Sequence, residues 1–359
     1  MSLMAEIDEK AAALGIPLSV HLDITWRCNE RCIHCYLDHD GQDEMSTVEI
    51  KDLLRQLAES GTFFLSISGG EPLVRHDCFE ILEHARELGF NVKLKTNAVM
   101  IGEAEANRLR RLGIEQIQVS IYSHRPEIHD SITGLPGSLH RSLHAIRCMT
   151  AEGLKVSITD VLMQQNAGDA MAVYQLAKDL KVEFSIDPTI TPKLNGDWSN
   201  VSLGVSGDVL RKVFHTEEFV GNVDKFCSPV STVDDGAQDA LGCSAGQTLA
   251  YVSPFGDVYP CVQFFMPCGS VRTQSFKEIW RGSDLLRELR SVRVRDLPAC
   301  SQCVHVAYCT RCPGLAYMEG DLRGPSSIDC AKSVARTGVD DCRLRIVPAS
   351  PNLAQNPAR

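Results

Sequence analysis

Short apolar runs alternate with longer amphipathic segments along the first half of the chain. A short run rich in β-branched residues predicts a strand, and apolar residues that recur every three or four positions predict a helix. The predicted strands cover residues 18–25, 62–68, 91–96, 116–122, 154–162 and 182–187. The predicted helices cover residues 47–60, 78–88, 104–112, 139–152 and 169–180. This alternation indicates an α/β fold with a parallel sheet, and fits a partial or complete β/α barrel of the TIM type.

The pattern changes after residue 187, where Pro, Gly, Asn and Asp become frequent through residues 191–208. Cysteines then accumulate from Cys227 onward. We therefore predict an N-terminal segment at 1–16, a barrel at 17–225 and a cysteine-rich domain at 226–345. The last residues, 346–359, contain few apolar side chains and are predicted to form a disordered tail.

The chain has a net charge of −10 and contains 15 cysteines. The negative charge repels a phosphate backbone and an anionic membrane surface, so we expect neither nucleic acid nor a membrane as a partner. No segment has the pattern of a membrane span or a signal peptide, and we expect the protein in the cytoplasm. Because cytoplasmic thiols stay reduced, metal binding explains so many cysteines better than a disulfide framework does.

Three cysteines directly follow the first predicted strand. Cys28, Cys32 and Cys35 are separated by three and two residues. One loop with this spacing can wrap three thiolates around an iron–sulfur cubane and leave one iron without a protein ligand. The alternatives are three unrelated thiols or a zinc site with His34 as fourth ligand, although the position of His34 between two cysteines makes that geometry awkward.

The second predicted strand ends in Gly69, Gly70, Glu71 and Pro72. Glycines allow the backbone to come close to a ligand, and Glu71 offers a carboxylate to a cationic group. Taken alone, this segment is explained equally well by a tight turn from strand to helix.

The cysteine spacing, with His34 in place of the aromatic residue before the third cysteine, resembles the hallmark of the radical S-adenosylmethionine superfamily. The Gly-Gly-Glu-Pro segment lies one β/α unit later, where that superfamily holds the amino group of the cofactor's methionine moiety. The resemblance implies a catalytic 4Fe-4S cluster on the three cysteines and S-adenosylmethionine on Gly69 to Pro72. It also implies contacts to the cofactor ribose and carboxylate from polar residues near later strand ends, namely Asn97, Ser120 and Arg141. Each of these three, taken alone, is also explained as a cap or a surface residue.

Seven later cysteines, in their order along the chain, resemble a SPASM domain, an extension that carries auxiliary iron–sulfur clusters. The resemblance implies an outer cluster on Cys300, Cys303, Cys309 and Cys330, and an inner cluster on Cys243, Cys261 and Cys312. The family pattern has three residues between the equivalents of Cys309 and Cys312, whereas this chain has two. A four-thiolate zinc site on the two Cys-x-x-Cys pairs is the alternative, and it leaves the other three cysteines unexplained.

The inner cluster implied by this resemblance is one ligand short. Cys268 is the preferred fourth ligand because it is close in sequence to Cys261, and Cys227 is the second choice. An open coordination site is the other possibility. Cys78 and Cys148 fall in predicted helices and are expected to pack as small apolar residues.

The resemblance implies an oxidoreductase that cleaves S-adenosylmethionine reductively, giving a 5′-deoxyadenosyl radical that abstracts hydrogen from a peptide or small-molecule substrate. The chain resembles enzymes that modify ribosomally made peptides, such as the coenzyme PQQ synthesis protein E type. A one-electron donor such as flavodoxin or ferredoxin is then expected. A separate peptide-carrier protein is expected too, because no leader-binding domain is recognised before Leu18. The alternatives are a haem-pathway enzyme that modifies tetrapyrrole side chains and a non-catalytic electron-transfer protein. The Gly-Gly-Glu-Pro segment argues against the last, because an electron carrier needs no site for an amino-acid cofactor.

Overall fold

The computed structural model describes residues 3–39, 43–227, 243–306 and 309–339. The predicted tail at 346–359 lies outside the described residues. Strands β1 to β6 are Ser19–Thr25, Phe64–Gly69, Asn91–Thr96, Gln116–Ser120, Val156–Val161 and Glu183–Asp187. Strands β7 to β9 are Leu249–Val252, Asp257–Tyr259 and Gly269–Ser270. In the described part of the chain these strands form one sheet, in the order β6-β5-β4-β3-β2-β1-β7-β8-β9.

The strands from β6 to β7 along this order pair in parallel, and β8 and β9 are added antiparallel. Each of the six predicted strands agrees with the observed one to within two residues at either end. The α/β class with a partial β/α barrel is therefore confirmed. The carboxyl ends of the parallel strands lie at one edge, where the loops that follow β1 and β2 meet.

Five helices, which begin at residues 47, 78, 103, 138 and 170, match the predicted ones. The helices before residue 228 are α1 to α10, at Leu3–Leu14, Thr47–Glu59, Cys78–Glu87, Glu103–Leu112, Pro126–Thr133, Ser138–Ala151, Ala170–Asp179, Gly207–Phe214, Glu217–Val220 and Val223–Cys227. The later helices are α11 to α14, at Phe276–Gly282, Asp284–Ser291, Pro313–Met318 and Ser327–Thr337. The sequence pattern predicted neither α1 nor α5. Among the described helices, none has both the length and the apolar character needed to cross a membrane.

The two faces of the sheet differ in chemistry. Alternate residues such as Leu22 on β1 and Leu94 on β3 are completely buried in the core that strand and helix side chains form together. The residues between them are polar and point to the inner face of the barrel, among them His21, Lys93 and Lys95. A closed TIM barrel fills its interior with branched apolar side chains. The polar inner face is thus suited to line a cavity rather than to form a packed core.

The cysteine-rich part is joined to the barrel by shared structure. β7 lies beside β1, with His21 opposite Tyr251. The Tyr251 hydroxyl donates to Asp23 Oδ2 at 2.9 Å, and the Trp280 indole donates to the Gly15 carbonyl at 2.7 Å. β7 and the helix that carries Trp280 therefore have fixed positions relative to the strand that precedes the first cysteines.

Candidate functional site

The first three cysteines lie on the loop that directly follows β1, residues 26–35, which we call the cysteine loop. Its backbone is tied to the end of α5, because Arg31 N donates to Thr133 O at 2.8 Å and Ile33 N donates to Ile132 O at 3.0 Å. The three thiols lie within electrostatic range of one another. The structure therefore brings Cys28, Cys32 and Cys35 together, as the spacing predicted.

The chemistry of these thiols suits metal binding. All fourteen cysteines in the described residues are free thiols. Burial raises the pKa of the Cys28 thiol to about 12. A bound metal supplies the positive charge that stabilises a thiolate in such a place, so the donor set fits an iron–sulfur cluster. The alternative ligand His34 packs its ring edge-on against Tyr122, with centroids 4.9 Å apart.

The segment Gly69 to Pro72, here called the glycine loop, lies directly against the cysteine loop. Gly70 N donates to Thr25 O at 2.8 Å, and Glu71 N donates to Arg27 O at 2.9 Å. A Cβ on Gly69 would lie 2.0 Å from the Thr25 oxygen, and one on Gly70 would lie 2.4 Å from the Arg27 oxygen. Glycine is required at both positions because the two backbones touch.

The carboxylate of Glu71 has hydrogen-bond partners within the chain. It is completely buried, and it accepts hydrogen bonds from Leu73 N at 3.0 Å and from Asn97 N at 2.7 Å. The Thr96 hydroxyl donates to both of its oxygens, at 2.8 and 2.9 Å. Burial raises its pKa to about 7. Glu71 thus joins the glycine loop to the end of β3, and it is the backbone of Gly69 and Gly70 that remains partly exposed.

The structure places the three residues predicted to contact the cofactor differently with respect to the cysteine loop. They are Asn97, Ser120 and Arg141. The Asn97 amide donates to Asn29 Oδ1 at 2.7 Å and lies 4.0 Å from Cys28 Sγ. Ser120 ends β4, and its side chain lies near that of Tyr122. Arg141 is exposed, and its guanidinium donates to the Pro136 and Gly137 carbonyls. Asn97 is therefore the one of the three that directly touches this loop.

The sequence pattern did not predict that Glu30 lies in this site. It lies inside the cysteine loop and is 4% exposed. The Cys32 thiol donates to its Oε2 at 3.6 Å. A charged residue between cysteines ordinarily suggests solvent exposure, so the only signal in the sequence was its place within the three-cysteine motif.

The outer set, Cys300, Cys303, Cys309 and Cys330, is assembled as the resemblance implied. Its four thiols lie within electrostatic range of one another. They line one cavity together with apolar side chains such as Leu289 and Leu297. Cys330 is carried by α14, whose first turn is capped by the Ser326 hydroxyl. A short loop and a helix therefore supply the four thiols.

The inner set, Cys243, Cys261 and Cys312, comes from three separate segments. The thiol of Cys312 lies within electrostatic range of the other two. Cys312 caps α13, and its N–H donates to Asp329 Oδ2 at 2.7 Å, next to Cys330 of the outer set. A Cβ on Gly314 would lie 2.2 Å from the Gln263 oxygen, so glycine there allows α13 to approach the loop of Cys261.

The structure does not bring Cys268 to the inner set. Its N–H donates to Val258 O at 2.7 Å beside the short β8–β9 pairing, and its thiol faces Ser283 and Arg290. This pairing turns the side chain toward α11 and α12, so nearness in sequence to Cys261 was a poor guide.

The remaining cysteines are packed elsewhere. The second choice for the inner set, Cys227, is buried, and its thiol donates to Phe214 O at 3.1 Å. Cys78 and Cys148 are buried in the barrel core, which confirms their expected packing. Across the described ranges, no three His, Cys, Asp or Glu side chains converge closely enough to hold a single metal ion.

Comparisons with known proteins match two separate regions of the chain. The model of the radical SAM superfamily matches residues 22–177, and the SPASM iron–sulfur cluster-binding domain matches residues 243–304. The chain is 27% identical over 332 residues to the AdoMet-dependent heme synthase of Methanosarcina barkeri, covering 85% of this chain and 94% of that protein. It is 28% identical over 315 residues to the mycofactocin maturase MftC of Mycobacterium tuberculosis, covering 84% of this chain and 80% of the other. Among solved structures, Streptococcus suis SuiB bound to precursor peptide SuiA has a TM-score of 0.72 at 17% identity, with 91% of this chain and 80% of SuiB covered.

Proposed function

We propose, from the premise that this chain belongs to the radical SAM superfamily and carries a SPASM domain, that it is an enzyme modifying a ribosomally made peptide. The observation that carries the proposal is the contact of the glycine loop with the cysteine loop above a polar inner face. Two loops in contact offer one cofactor site, and the polar face offers hydrogen bonds to a peptide backbone. The likeness to a mycofactocin maturase supports a peptide substrate.

Cys28, Cys32 and Cys35 would hold a 4Fe-4S cluster. When bound, this cluster and S-adenosylmethionine together supply a 5′-deoxyadenosyl radical that abstracts hydrogen from the substrate. The chain's own part is to hold the three thiols on one loop, fixed by the α5 carbonyls, and to keep the glycine loop against them. Such positioning sets the geometry of the reacting groups before the reaction begins.

The cofactor would lie against the exposed backbone of Gly69 and Gly70, with Glu71 and Pro72 fixing the shape of that loop. Asn97 would contact it from the end of β3, because its amide already touches the cysteine loop. We assign Ser120 to the ribose and Arg141 to the carboxylate. These two assignments rest on the resemblance and on the positions of the residues near the ends of β4 and at the start of α6.

The outer set would hold a fully ligated auxiliary cluster, and the inner set would hold one with three thiolates and an open iron. We place the barrel at 17–225 and the SPASM domain at 226–345. A flavodoxin or ferredoxin would supply the electron, and a separate carrier protein would deliver the peptide. The cytoplasm, where thiols stay reduced, is the compartment that we propose.

A second candidate is the modification of tetrapyrrole side chains. It is favoured by the likeness to a heme synthase, of which this chain covers 94%. The polar inner face is less suited to a largely apolar macrocycle than to a peptide.

The test uses protein reconstituted anaerobically with iron and sulfide, S-adenosylmethionine and dithionite. A short peptide encoded beside the gene should change mass while 5′-deoxyadenosine accumulates in step with it. An unchanged peptide, with iron coproporphyrin III changing mass under the same conditions, would replace the peptide proposal by the tetrapyrrole one.

A further inference from the structure

Two lysines point into the barrel from β3 without a bonded partner among the described residues. Lys93 and Lys95 lie on the polar inner face, and neither ammonium forms a hydrogen bond or an ion pair with any described side chain or backbone group. Both side chains are partly exposed, yet burial lowers the pKa of each. Their exposed surface therefore faces a confined space rather than bulk water. A positive charge held in such a space without a partner is costly.

The two acidic side chains that act on Lys95 do not pair with it. Asp23 is completely buried, with its Oδ1 lying 3.1 Å from His21 Nε2 and its Oδ2 accepting the Tyr251 hydroxyl at 2.9 Å. Asp187 ends β6 and is exposed. Both carboxylates influence Lys95 electrostatically, but neither forms an ion pair with its ammonium. The chain thus leaves the place of an anion beside Lys95 to a bound molecule.

Electrostatic interactions place Lys95 near both the inner set and the cysteine loop. Its ammonium and the Cys261 thiol of the inner set act on each other. Asp23, which acts on Lys95, also acts on Cys35 in the cysteine loop. Tyr36, next to Cys35, is within electrostatic range of both Asp23 and Cys261. A molecule bound to Lys95 would therefore lie close to both groups of thiols.

We propose that Lys95 binds a carboxylate of the substrate and so selects a substrate that carries an acidic group near the reacting position. The inference deepens the proposed function and rests on it. Carboxylates are the anionic groups that an unmodified peptide carries, at its C terminus and on its Asp and Glu side chains. A carboxylate would give the ammonium of Lys95 a charge-assisted hydrogen bond. Lys93, two residues earlier on the same face, adds positive charge that favours an anion.

The test compares the affinities of the reconstituted protein for charged and uncharged forms of one peptide. The probe is the short peptide encoded beside the gene, in its natural form, with a C-terminal amide, and with Asn and Gln in place of Asp and Glu. Fluorescence anisotropy of the labelled peptides measures binding. We expect the parent to bind one of the two changed peptides about tenfold more weakly than the natural one. The change that weakens binding identifies the carboxylate.

Three variants show whether this preference depends on Lys95. Lys95→Met keeps an unbranched side chain and removes the charge, so it should bind the natural and the changed peptides equally. Lys95→Arg keeps the charge and should retain the preference. Lys277→Met is the matched control, because it removes an exposed ammonium from α11 and should leave the preference as it is in the parent. Equal iron and sulfide contents in all four proteins show that they are folded and loaded alike.

A second pair of ligands separates a failure of the inference from a failure of the proposed function. Iron coproporphyrin III carries carboxylates too, and its tetramethyl ester does not. A protein that binds no peptide but prefers the free acid over the ester through Lys95 would refute the peptide function and support the carboxylate site. A peptide that is modified, with a charge preference that survives in Lys95→Met or is missing in the parent, would overturn the inference and leave the proposed function standing.

Discussion

The cysteine loop and the inner set each bring three thiols together, but they do so at different ranges along the chain. Cys28, Cys32 and Cys35 fall within eight residues, so one loop determines their spacing. Cys243, Cys261 and Cys312 come from three segments that meet only when α13 packs on the loop of Cys261. A local motif can be recognised from its spacing, whereas a site built from distant segments depends on contacts that the spacing does not contain.

Cys261 and Cys268 are near each other in sequence, but we expect their replacement to have very different effects on iron content. Cys261→Ala should remove the inner cluster, because its thiol belongs to the inner set, and the protein should lose about four irons per chain. Cys268→Ala should keep its full iron content, because that thiol faces Ser283 and Arg290. Iron and sulfide analysis with electron paramagnetic resonance checks both variants. Loss of iron in Cys268→Ala would return Cys268 to the inner set.

A smaller effect tests the contact between the cysteine loop and the glycine loop. Gly70→Ala introduces a Cβ 2.4 Å from the Arg27 oxygen, so the two loops must separate. We expect a loss of about 1–3 kcal/mol in the free energy of unfolding and greatly weakened S-adenosylmethionine binding. Gly168→Ala is the control, since its Cβ meets nothing within 4 Å. Equal stability and affinity in the two variants would mean that the loops do not need this close contact.

The smallest effect concerns the carboxylate that fixes the glycine loop. Glu71→Gln places an amide where Asn97 N and the Thr96 hydroxyl both require acceptors. The expected loss is about 1–3 kcal/mol in the free energy of unfolding, because one buried donor is left unpaired. Glu83→Gln, at an exposed site on α3, should unfold like the parent. Thermal unfolding measures the difference, and identical curves for both variants would show that the Glu71 hydrogen bonds contribute little.

The alternating units of the barrel were predictable because each strand and helix has its own apolar period. β1 to β6 and the helices α2, α3, α4, α6 and α7 follow that local rule. The pairing of β7 with β1 was not predictable, since it joins residues more than two hundred positions apart. Glu30 and Cys268 show the same limit within the site. Burial of Glu30 and the direction of the Cys268 thiol both depend on the residues that pack around them. A sequence motif does not indicate which residues these are.

The proposed function requires that the cysteine loop hold the cluster that cleaves S-adenosylmethionine. It is tested most directly by measuring 5′-deoxyadenosine in the reconstituted protein with dithionite, beside a variant in which Cys28, Cys32 and Cys35 are all Ala. The parent should form 5′-deoxyadenosine, and the variant should form none while it keeps its fold and the iron of the other two cysteine sets. Continued formation of 5′-deoxyadenosine by the variant would contradict the claim.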